Sequence, residues 1–213
     1  MDLVQRTMKP LLSILTPGVP SRWPQIEALH AELARQIGDL PVEHLILVDN
    51  KRRTVGEKRD ALLRAAGGAY VAFCDDDDAV TPEYVAALLA AIRQGPDVVT
   101  FRQLAVVNGV SGEIEFRLGN PNEGFKPGGV TRRNAWHVCA WRRTLAVLSR
   151  FPPTNYGEDW AFAAPLCGLA GLREVHIPAV LHEYHHSAAT TEAPPPLQSI
   201  CSSDSLTGHE PSN

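Results

Sequence analysis

The sequence lacks the features that mark membrane-spanning, secreted or disulfide-bonded proteins. Its 213 residues contain no run of about 18 apolar residues, the length that a spanning helix needs, and no long apolar segment near the N-terminus. Only four cysteines are present, widely spaced and without a C-x-x-C pair, so neither a disulfide framework nor a cysteine zinc site is indicated. We therefore expect a cytoplasmic protein with reduced thiols.

An excess of basic charge is also absent. The net charge of -4 argues against a protein that grips nucleic acid over a broad surface. With 44% hydrophobic residues, the chain can bury one substantial core. Large apolar residues become scarce near the C-terminus, where Ser, Thr and Pro dominate. We expect a single domain over residues 1–187 and a disordered tail or docking segment over residues 188–213.

Strand-like and helix-like segments alternate over the first half of the chain. Apolar runs predict strands, and apolar residues at helical spacing predict helices between them. The strands fall at residues 11–16, 42–50, 69–74 and 97–107, and the helices at residues 21–37, 55–68 and 81–95. This order predicts an α/β fold with a mostly parallel sheet and helices on both faces. Ligands of such sheets bind outside the carboxyl ends of the strands.

Four consecutive aspartates, residues 75–78, stand at the carboxyl end of the third predicted strand. Close carboxylates repel each other by roughly 4 kcal/mol per pair at an effective dielectric constant of about 20. A divalent cation would remove that cost, and oxygen ligands without cysteine favour Mg²⁺ or Mn²⁺, which bridge to phosphates. A solvated acidic loop is the alternative.

Basic residues follow the second predicted strand. They are Lys51, Arg52, Arg53, Lys58 and Arg59, and the N-terminus of the helix in which the last two lie adds its own positive dipole. A solvated, charged helix start is the alternative. Together with the aspartates, these residues predict a cleft for a nucleoside diphosphate.

Four stretches form an ordered pattern that is more specific than any one of them. They are LLSILTPG, LILVDN, VGEKRDALLRAAGGAYVAFCDDDDAVTPEYV and, later, YGEDWAF. Over roughly residues 10–187 the chain thereby resembles the nucleotide-sugar glycosyltransferases of the GT-A fold, particularly family 2. The resemblance implies a single Rossmann-like α/β domain. It also implies a nucleoside-diphosphate sugar donor, with a UDP-sugar favoured, an Mn²⁺ or Mg²⁺ ion, and inversion at the anomeric carbon.

The resemblance assigns donor-binding roles to residues at the predicted strand ends. Thr16 and Pro17 fall in the loop that contacts the nucleobase, and Asp49 falls where the family contacts the nucleoside. Lys58 and Arg59 fall in the G-x-K-R-N helix, near the diphosphate.

The aspartate run corresponds to the D-x-D loop of the family. Asp77 is the predicted direct metal ligand, and Asp75 or Asp76 lies nearer the ribose, although the run of four leaves the register open by one residue. Asp75 is therefore a metal candidate as well. In LHEYHHS, His185 is a candidate third contact to metal or phosphate, with a surface histidine as the alternative. Asp60 stands where the family often has asparagine, so its role stays open.

Acceptor-side residues are predicted from the second half of the chain. In YGEDWAF the resemblance implies that Asp159 is the general base that takes the acceptor proton and that Glu158 positions it or binds the acceptor. Helix capping is the alternative for this pair. Candidates for contact with the acceptor are His137, Trp141 and Trp160, and an amphipathic core helix over residues 134–148 is the alternative for the first two.

Two other function classes stay open. A nucleotidyltransferase would also use an acidic metal loop, although TPGVPSR stands where a glycine-rich phosphate loop would follow the first strand. A non-catalytic nucleotide-sugar or metal-binding module is the other, and Asp159 argues against it. The acceptor hydroxyl belongs to a glycan, a lipid carrier, a protein or a hydroxymethylated DNA base, so nucleic acid enters only as an acceptor.

Overall fold

The first half of the chain alternates strands and helices as predicted. The structure, a computed structural model, describes residues 9–186. Its first elements are β1 (Leu12–Gly18), α1 (Trp23–Ile37), β2 (Val42–Val48), α2 (Val55–Ala65), β3 (Tyr70–Phe73), β4 (Ala79–Val80), α3 (Tyr84–Ile92) and β5 (Val98–Val107). A 3-10 helix, Pro20–Arg22, connects β1 to α1. β1 and β3 are buried along their whole length, as expected of apolar runs.

The second half adds short strands, two helices and one long strand. In chain order these are β6 (Val110–Phe116), β7 (Val130–Arg133), β8 (Ala140–Arg142), α4 (Arg143–Ala146), α5 (Glu158–Cys167) and β9 (Glu174–His186). β5 and β6 form a hairpin whose turn contains Asn108 (φ 50°) and Gly109 (φ 81°). Two consecutive residues with positive φ match the twist of the strands that a two-residue turn connects.

Within residues 9–186 the strands form one sheet in the order β2-β1-β3-β8-β5-β6-β7, with β9 paired to β5 and β4 paired to β9. β1 pairs in parallel with both β2 and β3. β8 then joins β3 and β5 in antiparallel pairs, so the pairing is mixed beyond β3. The α/β class is confirmed, and the parallel part brings the carboxyl ends of β1, β2 and β3 to one edge.

Helices pack against this sheet around a single apolar core. α1 contacts α3 and β2, whereas α2 contacts α5, β1 and β2. Fully buried side chains in the core include Leu15, Leu88 and Phe101. Phe151 and Phe162 stack with ring centroids 4.2 Å apart. Each such side chain contributes about 1.5–3 kcal/mol through removal from water.

Residues 134–148 do not form the helix that was the alternative interpretation of that segment. The segment contains β8 and the short α4 instead. Val71 of β3 and Val98 of β5 both pair with Trp141, whose side chain is completely buried and donates its indole N–H to Trp136 O at 2.9 Å. The local helical period is therefore overridden by pairing between two distant strands.

The third predicted helix begins later than its capping pattern indicates. It was expected from residue 81, and α3 begins at Tyr84. Thr81 directly follows β4, its N–H donates to Leu181 O of β9 at 3.0 Å, and the N-cap of α3 is Glu83 instead.

The predicted domain boundary at residue 187 follows directly after β9. Residues 188–213, predicted as a tail, and Cys201 lie outside the described residues, so that division stays a prediction. Cys74, Cys139 and Cys167 are free thiols. Within the described part of the chain, no helix has both the length and the apolarity needed to cross a membrane.

Candidate active site

Helix α2 is fixed at its N-terminus by a capping box and a close backbone contact. Thr54 Oγ1 accepts from Glu57 N–H at 3.2 Å, and the Glu57 carboxylate accepts from Thr54 N–H at 2.8 Å. Gly56 lies against the loop that precedes α5, where a Cβ would come within 1.8 Å of Pro152 O. Any larger residue at position 56 would push α2 away from this loop.

Two cations on α2 join the ends of the three parallel strands. Lys58 Nζ donates to Gly18 O at the end of β1 (2.9 Å) and lies 3.6 Å from Asp49 Oδ1 after β2. Arg59 Nη2 contacts both carboxylate oxygens of Asp75 after β3, at 2.7 and 2.9 Å. Lys58 and Arg59 are only 3% and 4% exposed. They lie at the predicted edge, but protein groups already engage them.

The acidic loop, residues 75–78, contacts a second arginine, which was not predicted from the sequence. Arg22 Nη1 lies 2.7 Å from Asp76 Oδ1 and 3.0 Å from Asp77 Oδ2. Asp76 also accepts from Val19 N–H at 3.0 Å. Repulsion within the loop is therefore offset in part by Arg22 and Arg59.

A buried polar group lies beneath the acidic loop. Gln103 Nε2 donates to His182 Nδ1 at 2.8 Å, and His182 Nε2 lies 3.4 Å from Asp78 Oδ2. Burial lowers the pKa of His182 to about 3. Burial, with further contributions from the Asp75 and Asp77 charges, raises the pKa of Asp78 well above its usual range. His182 is therefore uncharged near neutral pH, and burial favours the protonated form of the Asp78 carboxyl that it faces.

Two other carboxyl groups of the loop also have raised pKa values. Burial raises the pKa of Asp75 to about 6, although the Arg59 guanidinium acts in the opposite direction. Burial likewise raises the pKa of Asp77, against the effect of Arg22. As the pH falls, these carboxyl groups therefore take up protons before free aspartates would.

A crevice of about 600 Å³ opens above the acidic loop. Its wall includes Pro17, Arg22, Lys51, Asp77 and His185. Positively and negatively charged side chains therefore line the same crevice. Its volume lies in the range typical of small-molecule sites.

An inner cavity of about 330 Å³ adjoins the crevice. One wall is apolar and includes Ile114, Phe116 and Val138, while Gln103 and His137 are polar residues of its lining. His137 is 6% exposed, and neither of its ring nitrogens has a hydrogen-bond partner within the described residues. Burial lowers its pKa well below the usual range, so the ring is neutral.

Asp159 lines both the crevice and the inner cavity. Its two carboxylate oxygens accept from Trp136 Nε1–H at 3.2 Å and from Trp160 N–H at 2.7 Å. The residue lies in the first turn of α5, whose N-cap Gly157 (φ 76°) provides no side-chain cap. Asp159 is therefore oriented by two N–H donors. One of them, the Trp160 N–H, belongs to the first turn of α5, so the carboxylate also satisfies a donor at the helix terminus, although the N-cap position is Gly157.

The neighbouring Glu158 is buried and points to a different partner. Its Oε1 lies 3.7 Å from Arg59 Nη1, and only 5% of the residue is exposed. Burial raises its pKa, and the Arg59 charge opposes that shift. Arg59 thereby connects the acidic loop to the start of α5.

Some predicted site residues face neither space. Thr16 is completely buried, with Oγ1 2.9 Å from His44 Nε2, and Trp141 lies in the core. Asp49 Oδ2 accepts from Arg53 N–H at 3.0 Å, and its Oδ1 lies 3.6 Å from Nζ of Lys58, which does line the crevice.

The remaining candidates do reach the two spaces. His137 lines the inner cavity, whereas His185 and Trp160 line the crevice. The Trp160 ring lies 5.7 Å from that of Trp136, and Trp160 is 49% exposed, so it offers a surface on which a ligand ring can stack.

Two cations that face these spaces were not predicted from the sequence. Arg22 lies four residues after the end of β1, so its position near the carboxyl edge was a usable signal. Arg133, on β7, lines both the crevice and the inner cavity, and its side chain forms no hydrogen bond or ion pair with the described residues. It reaches the site because β7 pairs with β6, and no local sequence pattern predicts that pairing.

No group of three or more His, Cys, Asp and Glu side chains within residues 9–186 is arranged as a metal cage. Asp77 and His185 nevertheless share the crevice wall.

Comparison with known proteins identifies the family of the chain. The sequence profile described as "Glycosyl transferase family 2" matches residues 23–146, more than half of the chain. The chain belongs to glycosyltransferase family 2. The matched region contains the acidic loop together with Lys58 and Arg59, and it ends before Glu158, Asp159 and His185. No curated protein gave a significant sequence match.

Solved structures similar to this family 2 chain share its fold at low sequence identity. Staphylococcus aureus TarS, residues 1–349 in complex with UDP-GlcNAc, matches with a TM-score of 0.60 and 18% identity over 84% of this chain and 60% of that one. The mannosyltransferase PcManGT from Pyrobaculum calidifontis, in complex with GDP-Man and Mn²⁺, matches with a TM-score of 0.55 and 14% identity over 86% of this chain and 59% of that one. The chain thus spans less than two thirds of either protein.

Proposed function

We propose that this family 2 chain transfers a sugar from a nucleoside-diphosphate sugar, with a UDP-sugar favoured, to an acceptor hydroxyl with inversion at the anomeric carbon. The observation that carries the proposal is the position of Asp159 on the walls of both the crevice and the inner cavity. The crevice offers cations and carboxylates that can bind a nucleotide, and the inner cavity beside it offers space for a second ligand. A carboxylate between two ligand sites can take a proton from a group that attacks from one of them.

The donor nucleotide fits the crevice. We assign the nucleoside to the part of the wall formed by Pro17, with the ribose near Asp75 or Asp76. Asp49, predicted to contact the nucleoside, lies outside the lining and supports this wall through Lys58. Arg22 lines the crevice and is a cation that can face the phosphates. Lys58 and Arg59, which the resemblance also places near the diphosphate, line the crevice too, and their contacts with Gly18 O and Asp75 fix the strand ends.

Asp77 and His185 fit an Mg²⁺ or Mn²⁺ ion. The Asp77 side chain is 28% exposed and presents hard oxygen ligands to the crevice. Ions of this kind are commonly held by one or two carboxylates together with phosphates and waters, so a cage of three protein side chains is not required. Both oxygens of Asp75 contact Arg59, which makes Asp75 a weaker candidate. When bound, the ion would offset negative charge on the leaving diphosphate.

The acceptor hydroxyl loses its proton to Asp159 in the proposed reaction. Its oxygen then forms a bond to the anomeric carbon while the bond from that carbon to the diphosphate breaks, and the nucleoside diphosphate leaves with the electron pair. Trp136 and the Trp160 N–H hold the carboxylate in place. We assign His137 and the Trp160 ring to the acceptor side. Trp141, predicted there from the sequence, lies in the core and has no part in the proposal.

Nucleotide release tests this function. The protein is incubated with Mn²⁺ and, separately, with UDP-GlcNAc, UDP-glucose and GDP-mannose, each with glycan, lipid-carrier, protein and hydroxymethylated DNA acceptors. We expect release of a nucleoside diphosphate that an acceptor accelerates and that Asp159→Asn abolishes. Release of a sugar 1-phosphate instead would indicate a nucleotidyltransferase, because transfer of the nucleoside monophosphate breaks the bond between the two phosphates. Saturable binding of a donor without release from any of them would indicate a binding module.

A further inference from the structure

Arg22 connects two consecutive carboxylates of the acidic loop through one nitrogen. Its Nη1 lies 2.7 Å from Asp76 Oδ1 and 3.0 Å from Asp77 Oδ2. The arginine ends the 3-10 helix Pro20–Arg22, so the segment after β1 is tied directly to the loop after β3.

The two contacts of Arg22 differ in their surroundings. The Asp76 side chain is 5% exposed, and it also accepts from Val19 N–H at 3.0 Å. The Asp77 side chain is 28% exposed and lines the crevice. The contact of Arg22 with Asp76 is therefore held firmly, because Asp76 is buried and accepts from two donors. The contact of Arg22 with Asp77 is exposed, and a ligand that enters the crevice can replace it.

A divalent ion at Asp77 would lie close to the Arg22 guanidinium. Like charges a few ångströms apart repel each other, and a side chain anchored on Asp76 cannot move far to relieve that repulsion. Arg59, the other arginine that contacts the acidic loop, is paired with Asp75 and cannot take the place of Arg22. A bound diphosphate would offset this repulsion, because its negative charge attracts both the divalent ion and the Arg22 guanidinium.

We propose that Arg22 is a built-in counter-cation that competes with a divalent ion for Asp77. Without a donor the acidic loop binds free metal weakly, and with a diphosphate present the metal and Arg22 are held together. Metal binding and donor binding are thereby coupled through Arg22. The inference rests on the proposed function in one respect, that Asp77 is the metal ligand.

Titration of the full chain with Mn²⁺ alone, followed by the electron paramagnetic resonance signal of free Mn²⁺, tests the competition. Arg22→Gln is expected to tighten Mn²⁺ binding in the absence of nucleotide by about tenfold or more, because the competing charge is gone. Adding UDP should tighten Mn²⁺ binding of the wild type by a larger factor than that of Arg22→Gln. Arg93→Gln, the same change at an exposed residue that lines neither the crevice nor the inner cavity, should stay within about threefold of wild type.

Two further variants make the result specific. Arg22→Gln combined with Asp77→Asn should lose the gain in Mn²⁺ affinity. Arg22→Met keeps the aliphatic stem and replaces Arg22→Gln in the same titration if the latter does not fold. Unchanged or weaker Mn²⁺ binding by the folded Arg22 variant overturns the inference, as does a gain that survives in the double variant. Because no sugar transfer is measured, tighter Mn²⁺ binding supports the role of Arg22 even if every donor fails to react.

Discussion

Arg59 contacts both carboxylate oxygens of Asp75 through a single guanidinium nitrogen, at 2.7 and 2.9 Å. The same guanidinium lies 3.7 Å from Glu158 Oε1 and 5.9 Å from the centroids of the Phe73 and Phe151 rings. Arg59 therefore joins the acidic loop, the apolar core and the start of α5, the helix that carries Asp159. Its position makes it a support of the site rather than a free phosphate ligand.

Arg59→Gln should lower the free energy of unfolding by about 3–5 kcal/mol, because it leaves buried carboxyl groups without their counter-charge. Urea denaturation at pH 7 measures this quantity. Arg52→Gln is the matched control at an exposed position and should change stability by no more than about 0.5 kcal/mol. If Arg59→Gln unfolds like wild type but binds UDP poorly, the arginine belongs to the diphosphate site after all.

The strand ends could be predicted because their signals are local. The apolar runs before residues 17, 49 and 75 and the helices between them required only side-chain periodicity, and parallel pairing then put the three ends at one edge. The same local reasoning placed Lys58 and Arg59 near that edge. It could not show that both are buried there, because burial depends on the contact between Gly56 and the backbone at Pro152, about a hundred residues away in sequence.

Features created by distant pairing could not be predicted. Trp141 was considered as an acceptor contact or part of a helix, and it became a core strand residue because β8 inserts between β3 and β5. Arg133 reaches the crevice through the pairing of β7 with β6. Arg22 was within reach of prediction, since it follows the first strand at the same edge, but its partners Asp76 and Asp77 are known only from the fold.

His44 should make the stability of the protein fall on mild acidification. Burial, with a smaller contribution from His30, lowers its pKa to about 4 from the usual 6.5. The unfolded chain therefore binds a proton that the folded chain refuses, and stability present above about pH 6.5 is lost as the pH falls toward 4. Between pH 7 and pH 4.5, wild type should lose about 2 kcal/mol more than His44→Gln. Urea denaturation at both pH values measures the difference, and parallel losses in the two proteins would contradict the assignment.

Asp77→Asn should remove the metal dependence of donor binding. The substitution keeps the size of the side chain but removes the charge that would hold the cation beside the diphosphate. Calorimetry of UDP binding with and without Mn²⁺ is the measurement, and Mn²⁺ should strengthen binding to wild type but barely to the variant. Asp39→Asn, an exposed aspartate outside the crevice wall, is the matched control and should behave like wild type. An equal Mn²⁺ effect in Asp77→Asn would move the metal to another residue of the loop.

Asp159→Asn separates a catalyst from a protein that only binds the donor. Asparagine keeps the shape of the side chain and one acceptor oxygen, so one of the contacts with Trp136 and the Trp160 N–H survives. Loss of the other should cost about 1 kcal/mol of stability. The amide cannot accept the acceptor proton, so sugar transfer should fall by roughly a hundredfold or more.

UDP affinity measured on the same preparation of Asp159→Asn decides what the loss of transfer means. The residues assigned to the diphosphate and the metal, Arg22 and Asp77, are untouched, so affinity should stay within about threefold of wild type. Asp39→Asn again supplies a charge-matched control that should retain transfer. Reduced transfer with equally reduced UDP affinity would make Asp159 a donor ligand. Transfer at the wild-type rate would remove it from the mechanism and leave Glu158, the other carboxyl group in the first turn of α5, as the next residue to test.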